Sequence, residues 1–140
     1  MTMPLARSPA DCPCMRISAT DTNYFVILAD PPGDGVPFVT VVEIFETGGK
    51  TPPNMHKAAW EQFVVLSGTG LARNGEVEIV VNKGDVLVVP PGHVHTLENL
   101  GPGKLYCLTT MMPDEDFAAL IRGGVPAALD AADLAVLSGM

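Results

Sequence analysis

The sequence predicts an all-β fold, an antiparallel barrel or sandwich, closed off by short helices. Three observations predict it. From Tyr24 to about Thr110 the chain alternates strand-length apolar runs with turn residues, and no helical period intervenes. Asn74-Gly75, the strongest short hairpin signal, sits between two such runs. Helix-like sequence begins only after Pro113.

The elements follow in order. Residues 1–22 hold three prolines and no periodic pattern, which predicts an extended N-terminal arm. The barrel is expected over 23–112. Its first strand covers Tyr24 to Leu28 and stops at Pro31-Pro32-Gly33-Asp34-Gly35. Phe38 to Glu46 is rich in β-branched and aromatic residues and ends at Gly48-Gly49. Glu61 to Leu66, Leu71 to Arg73 and Val77 to Val81 follow, the last two joined by the Asn74-Gly75 turn. Val86 to Val89, His93 to Leu97 and Lys104 to Met111 complete the set. The segment 113–140 reads as helical. Pro113-Asp114-Glu115-Asp116 places acidic groups at the positive end of a helix that stops at Gly123-Gly124, and a second helix is expected over Ala127 to Leu137.

A chain of 140 residues forms one domain with a real core. Hydrophobic residues are 47 % and charged residues 17 %, an apolar balance that predicts a face covered by another subunit. The net charge of −8 argues against nucleic acid and anionic membranes as partners, since both need a basic face. It leaves small-molecule substrates open, because a bound metal reverses the local field. No secretory apolar run opens the sequence, and Cys12, Cys14 and Cys107 read as reduced thiols, so a cytoplasmic protein is expected.

The chemistry concentrates in two stretches. Asn54-Met55-His56 is followed by Glu61, and Pro90-Pro91-Gly92 by His95. Two of only three histidines fall here. Two imidazoles and a carboxylate suit non-haem iron or manganese and leave coordination positions open. Asn54 and His56 share parity on an extended segment, Phe63 and Val65 continue inward from Glu61, and His95 arrives from a third strand. Asn54 reads either as a weak fourth ligand through its amide oxygen or as a hydrogen-bond partner of a metal-bound water. His93 reads as a residue of the rim or of the shell behind the ligands. Glu43 and Glu46 lie on opposite faces of their strand and are expected at a solvated edge, with an inward acid or base as the alternative. Trp60 should face away from Glu61, and Arg73 should be a surface cation. The parity of Tyr106 to Met111 does not reveal which residues face inward.

These stretches resemble the paired motifs of the cupin superfamily. Gly48, five residues, Asn54-Met55-His56, four residues, Glu61, six residues and Gly68 matches the spacing of the first motif. Gly84, five residues, Pro90-Pro91-Gly92, two residues, His95, three residues and Asn99 matches the second. The one departure is Asn54, where the family usually carries histidine. The resemblance implies a double-stranded β-helix, or jelly-roll, barrel, paired as a homodimer, with His56, Glu61, His95 and Asn54 at the ligand positions of one divalent metal. Iron or manganese leads, with nickel or zinc as alternatives. It permits dioxygenase, decarboxylase, lyase or isomerase chemistry on a small organic molecule. The alternative is a non-catalytic small-ligand-binding module with a degenerate or empty metal site.

Overall fold

The computed structural model describes residues 4–140, so the first three residues of the expected arm lie outside it. Among the described residues, ten strands form two antiparallel sheets, accompanied by three short α-helices. The strands are β1 (Cys14–Arg16), β2 (Asn23–Ala29), β3 (Val39–Phe45), β4 (Trp60–Ser67), β5 (Thr69–Asn74), β6 (Val77–Asn82), β7 (Val86–Val89), β8 (Thr96–Asn99), β9 (Leu105–Met112) and β10 (Val125–Pro126). The helices are α1 (Pro31–Asp34), α2 (Phe117–Arg122) and α3 (Ala131–Ser138). The larger sheet runs β10-β1-β2-β3-β9-β4-β7 and the smaller β6-β5-β8.

Registers place Glu43 opposite Cys107 and Cys107 opposite Val65, with Val41, Thr109 and Phe63 in the next row. Alternation then sends Phe45, Leu105, Cys107, Phe63 and Val65 toward the small sheet, where they pack on Ala72, Val81 and Leu97. Farther along the same inner face, Phe25, Ile27, Val39, Val41 and Met111 are covered by Ala118 and Ile121 of α2 instead. The outer face is covered in part. Leu137 of α3 packs on Tyr24, Val26, Val42, Ile44 and Tyr106. Each fully buried Leu, Ile, Val or Phe contributes about 1.5–3 kcal/mol. Strand β3 is therefore apolar on both faces, which is why its sequence shows no alternation.

Three expectations are corrected. Part of the arm is a strand: Cys14 and Met15 pair with Val26 and Phe25, and β10 adds beyond it. The helix expected from Ala127 begins at Ala131, because Asp130 and Asp133 form a reciprocal capping box and Ala127 still bonds to Cys14. The strand expected over His93 to Leu97 is β8, Thr96–Asn99. His95 reaches across only through an isolated bridge to Asn54, since the chain is still leaving the turn at Gly92, where φ is +84°.

Candidate metal centre

The loop between β3 and β4 runs alongside β8 and is fastened to it rung by rung. Gly49 O accepts from Asn99 N, Thr51 N donates to Leu97 O, and Asn54 and His95 exchange backbone hydrogen bonds of 3.2 and 2.9 Å. The backbone of the first motif is thus a neighbour of the second. Gly92 N donates to His56 O at 2.8 Å, which holds the His56 backbone against the Pro90-Pro91-Gly92 turn. Glu61, the second residue of β4, pairs with Val89 on one side and Met111 on the other. Asn99, the last motif residue, is structural. Its amide donates to the carbonyls of Phe45, Glu46 and Gly103, tying the β8–β9 turn to the end of β3.

The result brings His56, Glu61 and His95 together, with one ligand atom from each within 4.8 Å of the others. His95 Nε2 is 2.8 Å from Glu61 Oε1 and His56 Nε2 is 3.4 Å from the same oxygen. The two imidazole centroids are 5.4 Å apart. His95 Nδ1 lies 3.0 Å from the carbonyl of His93, which can only accept, so Nδ1 carries the proton and Nε2 faces Glu61. Burial alone would raise the Glu61 carboxyl, but the imidazoles of His56 and His95 hold it below its ordinary value. For His95, burial works downward, and the Glu61 carboxylate and the His93 carbonyl outweigh it, raising the imidazole.

These residues fit a divalent cation. His56 Nε2 and Asn54 Oδ1 are sealed from solvent without a hydrogen-bond partner, the state expected of donor atoms awaiting an ion. Asn54 Nδ2 is already used, donating to Pro52 O at 3.2 Å, which leaves the oxygen as the free end. The fixed Nδ1–H of His95 is the outer bond that a ligating histidine requires. His93 itself is exposed; it serves the group through its carbonyl, and its ring lies 3.4 Å from Asn74 Nδ2 at the rim.

A cavity of about 200 Å³ opens beside the group. Its apolar walls include Ile17, Phe25, Phe63, Phe117 and Leu120, and its polar side presents Asp21, Asn23, Glu43, Thr51, Asn54, His56 and Glu61. No lysine or arginine lines it. Phe63 separates it from a second, apolar cavity of about 160 Å³ that reaches His95 from the other side. Trp60 faces outward and is exposed, and Arg73 pairs with Glu78 and Glu98 at the surface, both as the sequence indicates. Among β9 residues, Cys107, Thr109 and Met111 share the inner face.

Two residues were misjudged or missed. Glu43 is not at a solvated edge: it is 3 % exposed and faces the cavity. The signal for it was a single charge in the uncharged run Val39–Phe45. Glu115 carried no sequence signal within the acidic run that precedes α2. Its carboxylate accepts from the backbone N–H of Lys57, Ala58 and Ala59, clamping the chain between His56 and Glu61. Burial works upward on it, and those three donors bring its carboxyl below the usual range.

Residues 41–111, just over half of the chain, match the family model for a cupin domain. The chain belongs to the cupin family. An uncharacterized protein of Methanocaldococcus jannaschii is 35 % identical to this cupin over 66 residues, covering 46 % of this chain and 53 % of that protein. The chain spans about half the length, or less, of the curated relatives it matches. Among solved structures, a predicted oxalate decarboxylase from Thermotoga maritima superposes with a TM-score of 0.69 at 18 % identity, covering 78 % of this chain and 99 % of that one. A recombinant oxalate oxidase in complex with glycolate gives 0.59 at 23 % identity, covering 70 % and 54 %. At these identities the structural likeness shows the fold, the cupin double-stranded β-helix.

Proposed function

We propose that this cupin is a metal-dependent enzyme acting on a small organic molecule, with Fe(II) or Mn(II) as the resident ion and Ni(II) or Zn(II) as alternatives. His56, Glu61 and His95 would hold the ion, and Asn54 would complete or border its shell. The observation that carries the reading is the pair of sealed, unpartnered donor atoms, His56 Nε2 and Asn54 Oδ1, next to the Glu61–His95 pair. When bound, such an ion supplies Lewis-acid polarisation and, for iron or manganese, redox capacity. Two imidazoles and one carboxylate leave a divalent ion a net charge near +1. With no cation in the cavity wall, that charge is the attraction for an oxygen-bearing or anionic substrate.

The chain's own residues then select by size and polarity. Phe25, Phe63 and Phe117 exclude water from the apolar side, and about 200 Å³ is below the volume of drug-sized sites, which favours a metabolite of few atoms. An oxygenase-type reaction leads, with decarboxylation, lyase or isomerase chemistry as alternatives. The oxalate chemistry in the names of two structural neighbours supports small oxygen-rich substrates. A homodimer is proposed from the outer face of β7-β4-β9, where Trp60, Val86, Val88 and Met112 are each more than half exposed. A reducing cytoplasm suits the free thiols of Cys12, Cys14 and Cys107. No helix among the described residues is long and apolar enough to cross a membrane.

A second reading, a non-catalytic binding barrel, is favoured by the 2.8 Å His95–Glu61 contact, which satisfies both groups without an ion. The test is metal content by mass spectrometry on protein purified without chelator or histidine tag, beside His56→Ala and His95→Ala. About one iron or manganese per chain, lost in both variants, is expected. No metal after anaerobic reconstitution would overturn the proposal in favour of the binding barrel.

A further inference from the structure

Glu43 is a cost that the fold alone does not explain. It sits on the inner face of β3, opposite Cys107, between the apolar cluster under the small sheet and the polar side of the cavity. It is 3 % exposed and has no cationic partner among the described residues. A buried carboxyl without such a partner destabilises a barrel, and a leucine would fill the place more cheaply. Its arrangement is nonetheless specific. Asn23 Nδ2 donates to Oε2 at 2.9 Å and fixes the carboxyl plane. Oε1 makes no hydrogen bond, yet it is not among the sealed unpartnered atoms, so it keeps access to the cavity that Glu43 lines with His56 and Glu61. Asn23 is itself buried and lines the same cavity.

We infer that Glu43 is a substrate-contacting, specificity-determining residue, whose Oε1 hydrogen-bonds an oxygen of the ligand beyond the atoms that meet the metal. This rests on the metal-dependent reading above and narrows it. The substrate class becomes small hydroxy or keto acids carrying at least one further hydroxyl or carbonyl oxygen. One end is held at His56, Glu61 and His95, and the other at the Glu43–Asn23 wall. The burial that is unfavourable to the empty barrel becomes discrimination. A ligand lacking the second oxygen occupies the cavity and leaves Glu43 Oε1 without a partner, and such mismatches are rejected more strongly than a missing methylene. In the metal-free chain burial, with the Glu61 charge adding to it, pushes the Glu43 carboxyl up. The titratable groups around it are Glu61 on β4, Asp21 in the arm and Cys107 on β9.

The test uses manganese-loaded protein and a fixed set of acids, glycolate, glycerate, tartronate and 2-oxobutanoate, with binding read by water-proton relaxation. Wild type, Glu43→Gln and Glu43→Leu are compared after their manganese content is measured. The expected result is equal manganese in all three. In wild type, glycerate or tartronate should bind at least tenfold more tightly than glycolate. Glu43→Leu should erase that preference while changing glycolate less than twofold, and Glu43→Gln should restore part of it. Equal loss for every acid, an unchanged preference, or binding of none of them by a protein that holds its manganese overturns the inference and leaves the metal site standing. Failure to hold manganese in wild type overturns the underlying reading as well.

Discussion

Replacing Glu43 with glutamine should make the metal-free protein more stable, and more so as the pH rises. The ordinary carboxyl value of 4.5 is raised in the folded chain to about 8, first by burial and then by the Glu61 charge. Below about pH 4.5 both folded and unfolded chains carry the proton, and Glu43 contributes no pH dependence. Between 4.5 and 8 the unfolded chain releases it while the folded chain keeps it, so stability falls as pH rises. Above about 8 both forms are ionised and the penalty is constant. At about 1.36 kcal/mol per pKa unit the full penalty is roughly 5 kcal/mol, an upper figure because the cavity admits some water. Glutamine preserves the shape and the capacity to bond Asn23 and carries no titrating group. Urea unfolding of chelator-treated wild type and Glu43→Gln at pH 5 and pH 8 measures the difference. The stability gap between the two proteins should widen by several kcal/mol from pH 5 to pH 8, with unchanged m-values. Parallel pH dependences would refute the reasoning, since they would mean that Glu43 is solvated or paired in the folded chain.

Three further outcomes are expected. Glu115→Ala removes the carboxylate that holds the N–H groups of Lys57, Ala58 and Ala59, and should weaken metal binding about 10- to 100-fold in chelator competition while leaving the far-ultraviolet spectrum intact. Asp133→Ala strips the buried acceptor from the hydroxyls of Tyr24 and Tyr106, while Lys104 keeps Asp130, and should cost about 2–5 kcal/mol in urea unfolding, at about 1–3 kcal/mol for each buried hydroxyl left unsatisfied. Asn54→His restores the family's usual ligand, and should tighten nickel or zinc binding at least tenfold by calorimetry, imidazole being the better donor for both.

The two motifs were legible because each constrains backbone and chemistry together. Gly92 takes a positive φ that turns the chain toward His95, and Gly68 passes so close to Lys104 O that a Cβ would stand 2.7 Å from it. Spacing between such fixed turns decides where the side chains between them arrive, so His56, Glu61 and His95 could be named from sequence. The hairpin at Asn74-Gly75 was legible for the same local reason. The rest depended on what covers each face. Strand β3 has Leu137 and its neighbours on the outside and the barrel on the inside, so its parity carries no label, and Glu43 reads from sequence as a solvated edge with an inward acid or base as the alternative. Asp133 is the same problem on a helix: a carboxylate in a short helix reads as its solvated side, yet it is fully buried against two tyrosines from β2 and β9.

That contrast has a chemical consequence. Both buried acids stand on elements that the motifs do not reach, yet their surroundings differ in kind. Asp133 meets Tyr24, Tyr106, Lys104 and the start of its own helix, so its acceptor capacity is spent inside the protein. Glu43 meets one amide and then open cavity. A carboxylate whose partners are all present is accounted for by packing, whereas one that keeps an unused oxygen on a cavity shared with His56 and Glu61 requires a partner that the chain does not supply. The Asp133 site therefore explains why the C-terminal helix stays on the barrel, and the Glu43 site concerns what enters it.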